Sequence, residues 1–179
     1  MVTALITHEA CHGHVTPDGM PERVGRLRAV LAGLEDLELE RGEAPMAQEA
    51  DVLALHTADY VAHVRNSVPE AGFAGLDRET DAETFLCPTS PEAVYRGVGG
   101  ALKAVDLVMA GHVRNAFVAV RPPGHHAEAG KAMGFCIFGN VALAARHALE
   151  AHGLERVAGV DFDVHHGNGT QALLWDEAR

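Results

Sequence analysis

The stretch Val157-Ala158-Gly159-Val160-Asp161-Phe162-Asp163-Val164-His165-His166-Gly167-Asn168-Gly169-Thr170 decides how this chain is read. It opens as a short apolar, β-branched run and closes in glycines. That pattern predicts a buried parallel strand over residues 157–162 running into a loop. Asp161, Asp163 and His165 alternate, and a strand sends residues i, i+2 and i+4 to one face. Two carboxylates and an imidazole would then face the same way at a strand's carboxyl end, where open α/β sheets form their ligand crevices. Neighbouring Asp side chains repel unless a positive group lies between them. A divalent metal with N/O ligands, zinc or a first-row neighbour, meets that need.

Working outward, a second histidine pair follows another apolar run. Residues 115–120 (NAFVAV) predict a strand, and Arg121-Pro122-Pro123-Gly124-His125-His126-Ala127 comes directly after it. The two prolines fix φ and stiffen the turn, which holds two adjacent imidazoles on a rigid loop. Imidazole is the side chain best suited to proton transfer near neutral pH. Gly134-Phe135-Cys136-Ile137-Phe138-Gly139-Asn140 then brings apolar rings next to glycine.

The remaining elements alternate in kind. Residues 2–7 (VTALIT) predict a first strand, followed by a loop carrying His8, Cys11, His12 and His14 on the surface or at a mouth. Pro21 opens a helix with a stripe of Val24, Leu27, Val30, Leu31 and Leu34. Residues 35–49 read as acidic and irregular. Short helices follow, one capped by Asp51 and one over residues 58–66 with Tyr60, Val61 and Val64 inward. Residues 69–86 read as a long loop in which Asp77, Asp81 and Glu83 are solvated charges. Pro91 opens a long helix with Val94, Val98, Ala101, Leu102, Val105, Val108 and Met109 on its apolar face. Gly99-Gly100 in that helix implies close packing, and Gly111 ends it. A helix over residues 139–151 carries Val141, Leu143, Ala144 and Leu149. A last helix begins at Asn168 or Thr170. Strands alternating with helices mean a parallel α/β sheet in one domain over residues 1–179, with no repeat or linker.

Composition narrows the function. The chain has 179 residues, 47% of them hydrophobic, enough for a globular core. A formal net charge of −11 without a basic run argues against nucleic-acid binding. Cys11, Cys87 and Cys136 form no C-x-x-C pair and fit a reducing, cytoplasmic compartment. There is no signal peptide pattern and no apolar stretch of membrane-spanning length.

Three blocks, R-P-P-G-H-H-A, G-F-C-x-F-x-N and D-x-D-x-H-H-G-N-G-T-Q, resemble the signature motifs of the histone deacetylase and acetylpolyamine amidohydrolase family. Pro21-Glu22-Arg23 and His56-x-x-x-Tyr60-Val61 extend the resemblance. The H-H-G-N-G-T-Q form is more like class II and bacterial members than class I, which usually carry Asp at the position of Asn168. The resemblance implies a three-layer arginase-like α/β fold and zinc-dependent hydrolysis of the acetyl amide of acetyl-lysine or acetylpolyamine. It implies that Asp163 and His165 are zinc ligands and that Asp161 orients His125. It makes His126 the general base toward a metal-bound water, with His125 as electrostatic support and Asn168 as the polar partner behind His126. Gly134 and Phe135 would line the substrate channel, and a potassium ion would sit near the Asp161–His165 strand.

Three family features have no match here: a third, Asp ligand on a later strand, an oxyanion tyrosine after a glycine pair, and the first histidine of H-P-E-R, which is Met20. The expectation is therefore the amino-terminal part of such a domain, incomplete at its carboxyl end and incomplete for catalysis. Two other readings compete. One is a non-catalytic metal- or acyl-binding remnant of the same fold. The other is a dimanganese hydrolase, which the histidine loop disfavours. The assembly state stays open, a homo-oligomer included.

Overall fold

A computed structural model describes residues 2–76 and 83–179. In chain order the elements are β1 (Thr3–Thr7), α1 (Ala10–Gly13), α2 (Val24–Gly33), β2 (Leu39–Glu43), α3 (Glu49–Leu53), α4 (Ala58–Asn66), β3 (Ala74–Gly75), β4 (Phe85–Leu86), α5 (Ser90–Met109), β5 (Asn115–Val118), α6 (Asn140–Glu150) and α7 (Asn168–Leu173). Asp77 and Asp81 lie outside the described residues.

The centre is β1. It pairs in parallel with β2 on one side, Thr3 opposite Leu39, and with β5 on the other, Thr3 opposite Asn115. Its alternating side chains divide between two cores. Ala4 and Ile6 pack with Ala44, Val113 and Leu107. Leu5 packs on the opposite face with Cys11, Leu27 and Ala119, flanked by Leu31 and Leu34. A strand buried on both faces carries an apolar run, and Ala4, Leu5 and Ile6 are all at most 2% exposed. The layers are therefore α2, sheet, and α5 with α6. This is the parallel α/β architecture expected.

α5 lies close to the sheet because it has no side chains where it crosses. A Cβ on Gly100 would meet Ala44 Cβ at 3.0 Å and Val118 Cγ1 at 3.2 Å, and one on Gly99 would run into the carbonyl oxygen of Pro45. The α5 face is buried at Val94 and Val98, while Val108 and Met109 in the last turn are partly exposed. A third cluster, including Tyr60, Val61, Val94, Val98, Ile137, Phe138 and Leu143, joins α4, α5, α6 and the loop that precedes α6.

Several expectations are corrected. The third parallel strand is β2, not residues 157–162, which form no ladder. Val160, Phe162 and Val164 are 85%, 97% and 91% exposed. At the end of this segment Asp161 Oδ1 accepts from the Asp163 N–H at 3.1 Å, and Asp163 Oδ1 accepts from the His165 N–H at 2.8 Å. These side-chain bonds fold the 161–165 backbone locally just past the expected strand. The segment 35–49 contains β2, and the segment 69–86 contains the small antiparallel pair of β3 and β4. α2 starts at Val24 rather than Pro21, because Arg23 is still extended (φ −150°). The His8–His14 loop holds the short α1, and Cys11 and His14 are buried rather than at a surface or mouth, with His14 Nδ1 2.8 Å from Ser90 Oγ. Val30 on α2 and Val141 on α6 face outward.

Candidate active site

The loop between β5 and α6 carries most of the candidate residues, and the fold clamps it from below. Arg121, at the loop's start, is buried and meets Glu22 through two parallel bonds of 2.5 and 2.6 Å. Its remaining nitrogen donates to the carbonyls of His14 and Cys11 at 2.8 and 3.2 Å. Each nitrogen of the charged fork thus has a partner, as a buried pair requires. Further along, Gly139 N–H donates to His56 Nε2 at 3.0 Å, so Nδ1 holds the ring proton and donates to the Glu128 carbonyl at 3.0 Å. Tyr60 Oη donates to the Ile137 carbonyl at 2.6 Å. The rings of His56, Tyr60 and Tyr95 surround Phe138 at centroid distances of 5.1, 6.0 and 5.7 Å. Glu22, Arg121, His56 and Tyr60 all stood in the sequence motifs, but their pairings did not.

On this base His125 and His126 stand side by side, ring centroids 4.0 Å apart. His125 Nδ1 donates to Asp161 Oδ2 at 2.9 Å. His126 Nδ1 lies 2.6 Å from Asn168 Oδ1, and Asn168 Nδ2 donates to Glu128 Oε1 at 2.9 Å. A carboxylate only accepts, which turns the amide oxygen toward His126. The proton therefore sits on His126 Nδ1, and Nε2 is left able to accept one.

The amino end of α7 docks on the same loop. Thr170 N–H donates to the His125 carbonyl at 3.1 Å, and Gly169 lies so close to His126 and Ala127 that any Cβ would strike their backbone. That approach delivers Asn168 to His126.

Gly134 and Phe135 sit at a two-residue turn. Met133 N–H donates to the Cys136 carbonyl at 3.1 Å and Cys136 N–H to the Met133 carbonyl at 2.8 Å. Both central residues have positive φ, 53° and 66°, as the tightest hairpin turn requires. For Phe135 this conformation costs on the order of 1–2 kcal/mol. Its N–H is held by the buried Thr84 hydroxyl at 3.0 Å. A side chain at Gly134 would run into the His126 ring, so the turn closes directly over the imidazole.

His165 stands beside the group, its ring 6.1 Å from His126. Asp163 is tied to His165, 3.1 Å from the ring Nδ1. The hydrogen bond from His125, then that from the Asp163 N–H, holds the Asp161 carboxyl below the ordinary carboxylate range. The His165 N–H and ring do the same for Asp163. Asp163 and His165 supply an oxygen and a nitrogen donor suited to zinc. Among the described residues, no third His, Cys, Asp or Glu donor converges with both. An open depression of about 570 Å³, lined by His166, Asn168, Gln171, Ala172, Trp175 and Asp176, meets the histidine group only at Asn168.

The structure therefore brings His125, His126, Asp161, Asn168 and Gly134 to one place, with His165 beside them. Sequence reasoning missed Glu128 and Thr84. Glu128 left a faint signal as the acidic residue two positions after His126; Thr84 left none.

The chain is similar to known proteins along nearly its whole length. A family model described as the histone deacetylase domain matches residues 20–179. The histone deacetylase-like amidohydrolase of Pseudomonas aeruginosa is 41% identical over 157 residues, covering 87% of this chain and 40% of that protein. The human polyamine deacetylase HDAC10 is 38% identical over 187 residues, covering 99% of this chain and 28% of that protein. In three dimensions the chain superposes on the HDA15 HD domain crystal structure with a TM-score of 0.88 at 32% identity, covering 98% of this chain and 52% of that one. The chain thus spans well under half the length of these two relatives. With the family model matching residues 20–179, the chain belongs to the histone deacetylase family.

Proposed function

We propose that this chain carries the proton-transfer half of a zinc-dependent deacetylase site, acting on the acetyl amide of an acetyl-lysine side chain or an acetylpolyamine. The family is hydrolytic, its named relatives being deacetylases and amidohydrolases. The observation that carries the reading is the Glu128–Asn168–His126 chain of bonds, which leaves His126 Nε2 bare.

In this proposal His126 takes a proton from water at Nε2 and returns it to the leaving amine. His125, anchored on Asp161, stands beside it as electrostatic support. Asp163 and His165 would hold the metal, with a third donor from outside that pair. Zinc, when bound, supplies Lewis acidity toward the amide carbonyl and toward water. Gly134 and Phe135 form the wall beside His126, where a narrow acyl-bearing arm would pass. A structural potassium ion would use oxygens of the Asp161–His165 segment. Residues 1–179 are taken as part of one such domain. The free, buried Cys11, Cys87 and Cys136 accord with the cytoplasm, and no helix among the described residues is long and apolar enough to cross a membrane.

The alternative is a metal- or acyl-binding remnant without turnover. It is favoured by the two-donor set at Asp163 and His165. The test is hydrolysis of an acetyl-lysine amide and of an acetylpolyamine by the zinc-loaded protein, with His126→Ala alongside. Turnover that falls about 10²–10⁴-fold in the variant, with zinc content unchanged, supports the enzyme. Zinc binding without turnover in either protein supports the remnant. Equal turnover in both removes His126 from the mechanism.

A further inference from the structure

The last turns of α5 and α6 meet at three side chains that the catalytic proposal does not use. His147 Nε2 lies 2.6 Å from Asp106 Oδ1, and His152 Nε2 lies 2.7 Å from the same oxygen. The two rings stand nearly perpendicular, 82°, with centroids 5.3 Å apart. One donor atom from each of the three residues falls within 4.8 Å of the others. Around a tetrahedral ion with bonds of about 2.0–2.2 Å, neighbouring donors sit roughly 3.3–3.5 Å apart. Rotamer adjustments of about an ångström separate the present arrangement from a coordination shell.

The electrostatics of the place call for a cation. Asp106 lies in the last turn of α5 and His147 in the last turn of α6. Helix carboxyl ends carry about half a negative charge each, so an aspartate at such an end is unfavourable unless something positive joins it. The cationic side chains close in sequence are turned elsewhere. Lys103, one turn back on α5, donates to the Glu43 carbonyl, and Arg146 donates to Glu150. Among the described residues, the two imidazoles are what pairs with Asp106. Two of the three residues come from one element and its immediate exit: His147 is in α6, and His152 follows its end, just before Gly153 turns the chain with φ 66°. The half-open setting, with the Asp106 side chain 53% exposed and each imidazole 25%, leaves room for water on the remaining positions.

We propose that Asp106, His147 and His152 form a second divalent metal site, for zinc or a first-row neighbour, that clamps the carboxyl ends of α5 and α6. Two imidazoles and one carboxylate are a donor set that suits such ions. The site shares no residue with the Asp163–His165 pair and is independent of the catalytic reading.

The experiment uses zinc alone and the full 179-residue chain. The Asp163→Ala/His165→Ala double variant removes the other donor pair, and both residues are exposed, so the fold tolerates the change. After loading and dialysis this variant should retain about one equivalent of zinc by atomic emission and melt at a higher temperature with zinc than with chelator. Adding His147→Gln and His152→Gln should abolish both effects. Copper substitution gives a second readout: electron paramagnetic resonance should show coupling to two imidazole nitrogens, lost with the glutamines. Near-UV circular dichroism checks that each variant is folded. For any variant that is not, the parent against His147→Gln/His152→Gln alone decides, since that pair should cost one equivalent. Zinc retention that the glutamine substitutions leave unchanged, or no zinc retained in the first double variant, overturns the proposal.

Discussion

A single amide oxygen, Asn168 Oδ1, determines which nitrogen of His126 carries a proton. Because Asn168 Nδ2 is committed to Glu128, the oxygen faces His126 Nδ1 at 2.6 Å and only accepts. The amide is neutral, so it orients the ring without adding charge. Asn168→Asp keeps the shape and adds a negative charge that favours the protonated ring. The acid limb of the kcat/KM–pH profile should then move to higher pH, with roughly a tenfold loss of rate at neutral pH. An unmoved limb with lower kcat would mean that Asn168 only packs. At this scale much of the candidate site is legible in the sequence. Adjacent histidines after a stiff Pro-Pro turn, and alternating Asp-Asp-His, announce polar chemistry by their cost. The supports are not legible. Thr84 holds the Phe135 N–H from fifty-one positions away, and no local pattern encodes a contact made by the fold.

Elements show a sharper division. β2 reads Leu-Glu-Arg-Gly-Glu, which has no apolar alternation, yet it pairs along its full length with β1. It is an edge strand held by backbone bonds, and charged side chains are what such an edge tolerates. Residues 157–162 carry the stronger strand pattern and form none, while just beyond them Asp161 and Asp163 bond the backbone two positions on. Periodicity reports burial preference, while pairing depends on a partner edge that the pattern does not contain. The α5 glycines were readable for a related reason: in a helix their cost is justified only by close approach. Gly99→Ala places a methyl against the Pro45 carbonyl and 2.9 Å from Ala47 N. Both are backbone atoms that cannot step aside. Urea denaturation should show a loss of about 1–3 kcal/mol despite alanine's better helix propensity. A stabilised variant would mean that α5 can lift off the 44–47 segment.

For the molecule as a whole, two buried imidazoles tie distant parts of the chain together and make its stability depend on pH. His14 joins the loop after β1 to Ser90 at the start of α5, and His56 joins the entry to α4 to both ends of the 128–139 loop. Burial pushes each down from 6.5 to about 4. In the unfolded chain both return to about 6.5. Between these values the unfolded state binds more protons than the folded one, so stability rises with pH. The contribution is fully present above about 6.5 and is lost as pH falls toward 4, on the order of 3 kcal/mol for each ring. The carboxyls of Asp161, Asp163, Asp106 and Glu177, all held below their ordinary range, add to the loss only toward the acid end of this window, so its upper part reports the histidines. Urea titrations at pH 7, 6, 5 and 4.5 measure the slope. His56→Gln can still accept from Gly139 N–H and donate to the Glu128 carbonyl but does not titrate, so it should lose about half as much stability across the window as the parent. A parent curve that is flat from pH 7 to 4.5, or a variant curve parallel to it, would show that His56 is not buried as a neutral ring in solution.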